Sequence, residues 1–167
     1  MTADVPGTDM GKPVVLIATP CFGGMVSQNY VLSIMRLMAS VGDQIELSLM
    51  LLGNDALITR SRATLVGKFL DNPAATHLMF IDSDIAFEPE QFARLFRAGK
   101  LFSAALYPIK EFDWERAPQR QAQGESLVSA GLNYVGTLCA GMELAVEDGF
   151  ATARYAGTGF QLIRREV

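Results

Sequence analysis

The sequence is poor in cysteine, in histidine and in long apolar runs, and each scarcity excludes a class of protein. Its two cysteines, Cys21 and Cys139, cannot build a disulfide framework or a zinc cluster, so we expect two buried free thiols. The single histidine, His77, begins a strand away from the expected site, which argues against histidine-based catalysis. No apolar run approaches the ~18 residues that a membrane span needs, so no transmembrane segment is predicted.

Basic charge is also scarce, since the net charge is −4 and the pI about 5.0. A basic surface for nucleic acid is therefore not expected. Half of the 167 residues are hydrophobic and 19% are charged, as in a compact globular domain. We expect a flexible N-terminal tail over residues 1–12 and one domain over residues 13–167. The tail lacks the apolar centre of a secretory signal, so we expect a cytoplasmic protein.

The periodicity of apolar residues predicts alternating strands and helices up to Pro108. Continuous apolar, β-branched runs favour strands that are covered on both faces. Alternation of strand and helix predicts an α/β fold with a Rossmann-like, mostly parallel sheet flanked by helices. The predicted strands are residues 14–19, 45–52, 77–81 and 101–106, and the predicted helices are residues 26–41, 56–70 and 88–98.

The pattern changes after Pro108. Residues 111–126 are polar and predict a long loop or flap, near which Tyr107 and Trp114 either stack on a base or sugar or anchor the loop to the core. Residues 127–146 and 150–163 alternate and predict antiparallel strands added to the first sheet in the C-terminal third. The Asp148-Gly149 pair between these runs predicts a hairpin.

Two carboxylates, Asp82 and Asp84, directly follow the third apolar strand. Buried charge is costly without a partner, and residues at i and i+2 of a strand end can point into one crevice. In α/β sheets, that crevice lies beyond the carboxyl ends of the parallel strands. A divalent Mg²⁺ or Mn²⁺ ion that also binds phosphate oxygens is a natural partner. The alternative is that both residues merely cap the following turn.

Two arginines, Arg60 and Arg62, lie near the start of the helix after the second strand, on the crevice side of the sheet. Because residues two apart on a helix do not share a face, one arginine could meet phosphate or the aspartate pair while the other supports it. The alternative is that both are ordinary surface residues.

These motifs resemble the donor-binding half of GT-A glycosyltransferases of the family-2-like, DxD-containing kind. The resemblance is carried by residues 54–63, residues 76–89 with Asp82-Ser83-Asp84, the opening strand with Thr19-Pro20, and residues 157–165. It implies a GT-A-like domain that binds a nucleotide-diphosphate sugar through Mn²⁺ or Mg²⁺ and transfers the sugar to an unknown acceptor.

The resemblance also implies roles for individual residues. Asp84 would bind the metal, and Asp82 would contact the ribose or the metal's water. The Gly157-Thr158-Gly159 turn would approach the donor sugar. The remaining residues implied to bind the donor are Thr19, Pro20, Asn54, Arg60, Arg62 and Ser83.

Members of this family usually continue well past the DxD strand, where the acceptor site and the catalytic base lie. The chain ends at Val167, and its late acids have no spacing that marks a base, so no catalytic residue is assigned. A short enzyme, a truncated chain and a domain without transferase activity all remain open. A non-catalytic nucleotide-binding or assembly domain and a nucleotidyltransferase are the alternative functions, whereas a haloacid-dehalogenase-like phosphatase fits less well because Ala86 replaces its usual Thr or Val. The oligomeric state is left open, and a homo-oligomer is one of its alternatives.

Overall fold

The computed structural model describes residues 11–167. Residues 1–10 of the expected tail lie outside the described residues, while Gly11 and Lys12 are exposed and precede the first strand. The elements in chain order are β1 (Val14–Cys21), α1 (Gln28–Val41), β2 (Glu46–Gly53), α2 (Ile58–Leu70), β3 (His77–Ile81), α3 (Pro89–Arg97), β4 (Phe102–Ala104), β5 (Pro108–Phe112), α4 (Ala117–Ala122), α5 (Leu127–Ala130), β6 (Leu132–Tyr134), β7 (Gly136–Leu138), β8 (Val146–Glu147), β9 (Phe150–Ala151), β10 (Ala153–Ala156) and β11 (Phe160–Arg164).

A mixed five-stranded sheet forms the centre of the α/β fold, in the order β2-β1-β3-β11-β4. Strands β1, β2 and β3 are parallel, as the apolar runs predict. Strand β11 runs antiparallel to both of its neighbours, β3 and β4. The last strand of the chain therefore lies between β3 and β4. It begins at the edge of the sheet where β3 ends, since Phe160 pairs with Ile81.

The two faces of the sheet bury alternate residues of the central strands, since side chains on a strand alternate between faces. Helices α1 and α3 cover one face, and helix α2 covers the other. On the first face, Tyr30, Leu37 and Phe92 from the helices are buried with Ile17, Met79 and Ile81 from the strands. On the second face, Leu65 and Phe69 of α2 are buried with Leu16, Ala18, Leu78 and Phe80.

Local signals explain where the helices begin. The Ser27 hydroxyl accepts a hydrogen bond from the Tyr30 amide and so caps α1. Glu88 and Gln91 form a reciprocal capping box at the start of α3, with Pro89 in the first turn. All three predicted helices in the first part of the chain are confirmed to within two residues at each start.

Three predictions for the C-terminal part are wrong. Helix α4 interrupts the expected loop at residues 111–126, because Asp113 accepts hydrogen bonds from the amides of Glu115 and Arg116 and Pro118 suits a first turn. Helix α5 forms where the first of the expected late strands was to begin, at residue 127, and the Ser126 hydroxyl caps this helix. Among the late strands, only β11 joins the central sheet; the others form two-stranded pairs.

The hairpin signal at Asp148-Gly149 is confirmed. Strands β8 and β9 pair across it, and both turn residues have positive φ angles of 50° and 75°. Two consecutive left-handed residues are the requirement of the tight turn that suits a twisted hairpin, which is why Asp-Gly predicts it.

The two cysteines differ in burial, since Cys21 is buried and Cys139 is only partly buried. The expectation of two buried thiols is therefore wrong for Cys139, which lies between the short strands outside the main core. None of the helices in residues 11–167 combines the length and apolar character needed to cross a bilayer.

Candidate functional site at the carboxyl edge of the sheet

Strands β1, β2 and β3 all end at the same edge of the sheet. Cys21 pairs with Gly53 at the ends of β1 and β2, and Ala18 pairs with Phe80 near the ends of β1 and β3. The segments that follow these three strands are consequently neighbours at this edge, as expected for a parallel arrangement. Asp82 directly follows Ile81, the last residue of β3.

Asp82 is held by a partly buried ion pair with Arg62 of helix α2. The Arg62 Nη2 atom lies 2.6 Å from Asp82 Oδ1, and the two side chains are 21% and 29% exposed. The guanidinium also lies 6.0 Å from the centre of the Phe80 ring. Arg62 Nε is buried and has no hydrogen-bond partner among the described residues. The arginine is thus packed in place and fixes one oxygen of the carboxylate.

The Gly157-Thr158-Gly159 turn closes on the other side of Asp82. The Asp82 amide donates a hydrogen bond to the Gly159 carbonyl oxygen at 2.9 Å. A Cβ atom added at Gly159 would lie 2.7 Å from Asp82 Oδ2, which is closer than carbon and oxygen can approach. This turn was implied to approach a donor sugar, and it lies directly beside the first aspartate of the motif.

Tyr107 supports this turn, a role that the sequence did not reveal. Its hydroxyl accepts a hydrogen bond from the Gly159 amide at 3.0 Å. A Cβ atom at Gly157 would lie 2.4 Å from the same hydroxyl. Of the two aromatic residues near the expected flap, Tyr107 therefore contacts the glycine turn. Trp114 is 75% exposed and packs on Phe112 with ring centres 4.4 Å apart.

Asp84 forms an ion pair with Lys110 of strand β5. The Asp84 side chain is 48% exposed and the Lys110 side chain 79% exposed. Lys110 is a site residue that sequence reasoning missed, and no local pattern marks it because β5 meets the aspartate motif only in the folded chain. In this structure, both carboxylates of the motif are neutralised by basic side chains.

Of the two arginines, Arg60 is the one that contacts Asp55 and not the aspartate motif. Its Nε and Nη2 atoms donate to the two oxygens of Asp55 at 2.8 and 2.7 Å. The Arg60 guanidinium, with a further hydrogen bond from the Leu57 amide, holds the pKa of Asp55 below its ordinary value. This pair stabilises the start of α2, whereas Arg62 contacts the aspartate motif.

Thr19 and Pro20, which were expected to line a nucleotide pocket, are both buried. The Thr19 hydroxyl forms a hydrogen bond of 2.6 Å with the Tyr30 hydroxyl beneath α1. Burial raises the pKa of Tyr30 to about 12. Thr19 lies on the same face of β1 as Val15 and Ile17, so its side chain points into the core and away from the open edge.

Asn54 and Ser83 lie at the edge without side-chain partners of the kind found at Asp82 and Asp84. Asn54 is exposed and has a positive φ of 62°, a conformation that asparagine tolerates better than most residues. The Ser83 carbonyl oxygen accepts a hydrogen bond from the Ser27 amide at 2.8 Å. This bond ties the aspartate loop to the start of α1.

The carboxylates at this edge suit a cation that is bound together with a phosphate group better than a cation that is held by protein ligands alone. The part of the chain that the structure describes has no group of three or more His, Cys, Asp or Glu side chains around one point. Mg²⁺ commonly takes one or two carboxylates and completes its shell with water and phosphate oxygens. Asp82 Oδ2 and the half-exposed Asp84 could supply such a pair, if Lys110 releases Asp84.

Three of the late acidic residues are paired elsewhere. Glu143 lies 3.5 Å from Arg154, Glu147 is 2.8 Å from Lys100, and Glu166 is 2.9 Å from Arg164. His77 lies at the opposite end of β3 from Asp82 and packs against Phe96, with ring centres 5.0 Å apart. These residues are not brought to the aspartate motif.

An open cleft of about 340 Å³ lies beside the aspartate loop, between α1 and α3. Its walls include Ala86 and Phe87, which follow Asp84, and the ion-paired side chains of Arg36 and Glu88. The cleft is adjacent to the site, but neither aspartate lines it.

Comparison with known proteins finds structural likenesses, since four chains of solved structures match. No protein-family model and no curated protein matches the chain. The crystal structure of A197 from STIV is similar, with a TM-score of 0.52 and 17% sequence identity over 92% of this chain. The chain spans 65% of the length of A197. At this identity the likeness concerns the fold alone.

Proposed function

We propose that this domain binds a nucleotide-diphosphate sugar through a divalent cation, Mn²⁺ or Mg²⁺, and transfers the sugar to an acceptor. We further propose that its mixed sheet is of the GT-A type. The observation that carries the proposal is the position of Asp82 and Asp84 at the carboxyl edge of the sheet. One carboxylate is fixed by Arg62, and the other is half exposed to solvent.

Asp84 and the free oxygen of Asp82 would hold the cation, which would neutralise charge on the leaving diphosphate. Arg62 holds the Asp82 carboxylate in one orientation, because it binds Oδ1 and leaves Oδ2 turned towards Gly159. The glycine turn packs closely against the carboxylate, since a Cβ atom at Gly159 would lie 2.7 Å from both Asp82 Oδ2 and the Tyr107 hydroxyl.

Thermal unfolding in the presence of nucleoside diphosphates, with and without Mn²⁺, tests donor binding. We expect UDP or GDP to raise the midpoint only when Mn²⁺ is present, because a ligand that binds only the folded state stabilises it. The Asp84→Asn variant should lose this shift. Asp43→Asn is the matched control, because Asp43 is an exposed acid in the turn after α1, at the opposite edge of the sheet. Equal shifts in the wild type and in Asp84→Asn would rule out the assignment.

Binding without transfer is the second candidate function. It is favoured by the pairing of Glu143, Glu147 and Glu166 with basic residues away from the site, which leaves these late acids without the position of a base. Metal-dependent binding of UDP or GDP, without release of the diphosphate from the matching sugar nucleotides, would select this function over sugar transfer.

A further inference from the structure

Lys110 is presented to the site by a strand whose backbone is anchored on either side of it. Strand β5 pairs with β6 at both ends, through Pro108 with Tyr134 and Phe112 with Leu132, and the register shifts between these two pairs, so Lys110 lies in an irregular stretch. Just before β5, the Tyr107 carbonyl accepts a hydrogen bond from the Val135 amide at 3.0 Å, and its hydroxyl binds Gly159. The anchored ends of β5 keep Lys110 near the aspartate motif, while its flexible side chain is 79% exposed.

The two ion pairs of the motif differ in how easily they can be exchanged. Arg62 is packed near Phe80 with only 21% of its side chain exposed, so it cannot leave Asp82 without leaving its packing site. Lys110 and Asp84 are 79% and 48% exposed, and water screens an exposed pair of this kind. A lysine ammonium on four rotatable carbons can also turn to another anion without moving the backbone.

We propose that Lys110 is an exchangeable ligand-binding residue of this site. It neutralises Asp84 while the site holds no cation, and it turns to the phosphate oxygens of a nucleoside diphosphate when a divalent cation occupies Asp84. The inference rests on the proposed function, since it assumes a metal-bound diphosphate at Asp84. It adds a phosphate-binding residue that lies outside both the aspartate motif and the helix with the two arginines.

Charge balance gives the physical reason for the exchange. The aspartate pair with Arg62 and Lys110 is electrically neutral, so an added cation must displace a positive group to gain a favourable site. The diphosphate then brings more negative charge than one divalent cation neutralises. The displaced ammonium is within reach of that excess charge, and lysine binds phosphate as a compact point charge.

The exchange predicts opposite effects of one substitution on two affinities. In Lys110→Met, which keeps the length of the side chain and removes its charge, Mn²⁺ alone should bind about two- to fivefold more tightly because its competitor is gone. UDP and GDP should bind about tenfold more weakly at saturating Mn²⁺, because a charge-assisted contact is lost. A merely structural role for Lys110 would move both affinities in the same direction or neither.

The electron-paramagnetic-resonance signal of free Mn²⁺ measures the first affinity, and calorimetric titration of UDP and GDP with Mn²⁺ present measures the second. Lys100→Met is the matched control, because Lys100 forms an exposed pair with Glu147 on the β8–β9 hairpin and should leave both affinities unchanged. Lys110→Arg should retain diphosphate binding within about threefold, since it preserves the positive charge.

The outcomes separate this inference from the function on which it rests. Tighter Mn²⁺ binding together with weaker diphosphate binding in Lys110→Met supports the exchange. If wild-type protein binds diphosphate in an Asp84-dependent way and Lys110→Met changes neither affinity, or weakens both, the exchange is wrong and the proposed function stands. If wild-type protein binds no diphosphate with Mn²⁺, both fail.

Discussion

The amide of Asp82 donates a hydrogen bond to the carbonyl oxygen of Gly159, so the first residue after β3 is joined to the last residue before β11. This contact continues the antiparallel pairing of Phe160 with Ile81 by one step beyond the sheet. It places the aspartate motif and the glycine turn side by side. The geometry of the candidate site therefore depends on a strand pairing between distant parts of the chain.

Gly159→Ala should disturb the site and the fold together. Its Cβ atom would lie 2.7 Å from both Asp82 Oδ2 and the Tyr107 hydroxyl, and we expect a loss of about 1–3 kcal/mol in the free energy of unfolding from overpacking. Metal-dependent diphosphate binding should weaken as Asp82 shifts. Urea unfolding and calorimetry measure the two effects.

Gly67→Ala provides the control for this prediction. Gly67 lies inside α2, and a Cβ atom there would meet nothing within 4 Å. Alanine in a helix interior is favoured over glycine by up to about 1 kcal/mol, so this variant should be neutral or more stable. Comparable destabilisation by both substitutions would contradict the steric account of Gly159.

Tyr107→Phe should loosen the glycine turn without creating a large cavity. The Gly159 amide would lose its hydrogen-bond acceptor, at a cost of about 1 kcal/mol in the free energy of unfolding. Hydrogen exchange of that amide should accelerate accordingly. Tyr134→Phe is a suitable comparison, since Tyr134 is 48% exposed, and it should change neither quantity.

The buried hydrogen bond between Thr19 and Tyr30 predicts a stability effect without a binding effect. Tyr30→Phe and Thr19→Val should each reduce the free energy of unfolding by about 1–3 kcal/mol, because each leaves a buried hydroxyl unpaired or removes the bond. The double variant should lose less stability than the sum of the two single losses, and a double-mutant cycle measures this difference. Diphosphate affinity should remain unchanged in Thr19→Val; a selective loss of affinity would restore Thr19 to the binding site.

His77 predicts how stability depends on pH. Burial, together with the nearby Arg164 cation, lowers the pKa of His77 below its ordinary value of 6.5. The unfolded chain then binds a proton at a pH where the folded chain does not, so stability falls as the pH drops from above the unfolded-state pKa to the lower folded-state pKa. Below the folded-state pKa both states are protonated and the loss stops growing.

Urea midpoints of the wild type and His77→Gln between about pH 8 and pH 5 test this dependence. The difference between the two proteins isolates the histidine from the carboxylates that titrate at lower pH. We expect the wild type to lose more stability than the variant over this interval. Parallel pH profiles would show that His77 does not contribute to the dependence.

Local patterns were sufficient for the first part of the fold. The apolar run ending at Ile81 predicts β3 with both of its bounds, and the Ser27 and Glu88 caps account for the starts of α1 and α3. The Asp148-Gly149 pair likewise predicts its hairpin from two residues alone. Such signals depend only on residues close together in the chain, so they can be recognised without knowledge of the fold.

Pairing between distant segments could not be predicted in the same way. Nothing near Phe160 specifies that β11 inserts between β3 and β4, and nothing near Lys110 specifies its partner Asp84. The orientation of Thr19 was open to prediction, because its two-residue spacing from Ile17 places it on a buried face. The resemblance to GT-A glycosyltransferases instead implied a ligand contact, and the buried partner Tyr30 became visible only in the folded chain.

The sequence by itself determined the α/β alternation and the placement of Asp82 and Asp84 after a buried strand. Both follow from the spacing of apolar residues, which differs between strands and helices and involves only neighbouring residues. The tertiary structure alone decided that Arg62, rather than Arg60, meets Asp82, and that Lys110 and Tyr107 belong to the same edge. Those contacts depend on how the sheet orders its strands. That order is set by burial of the two apolar faces as a whole, which no single segment encodes.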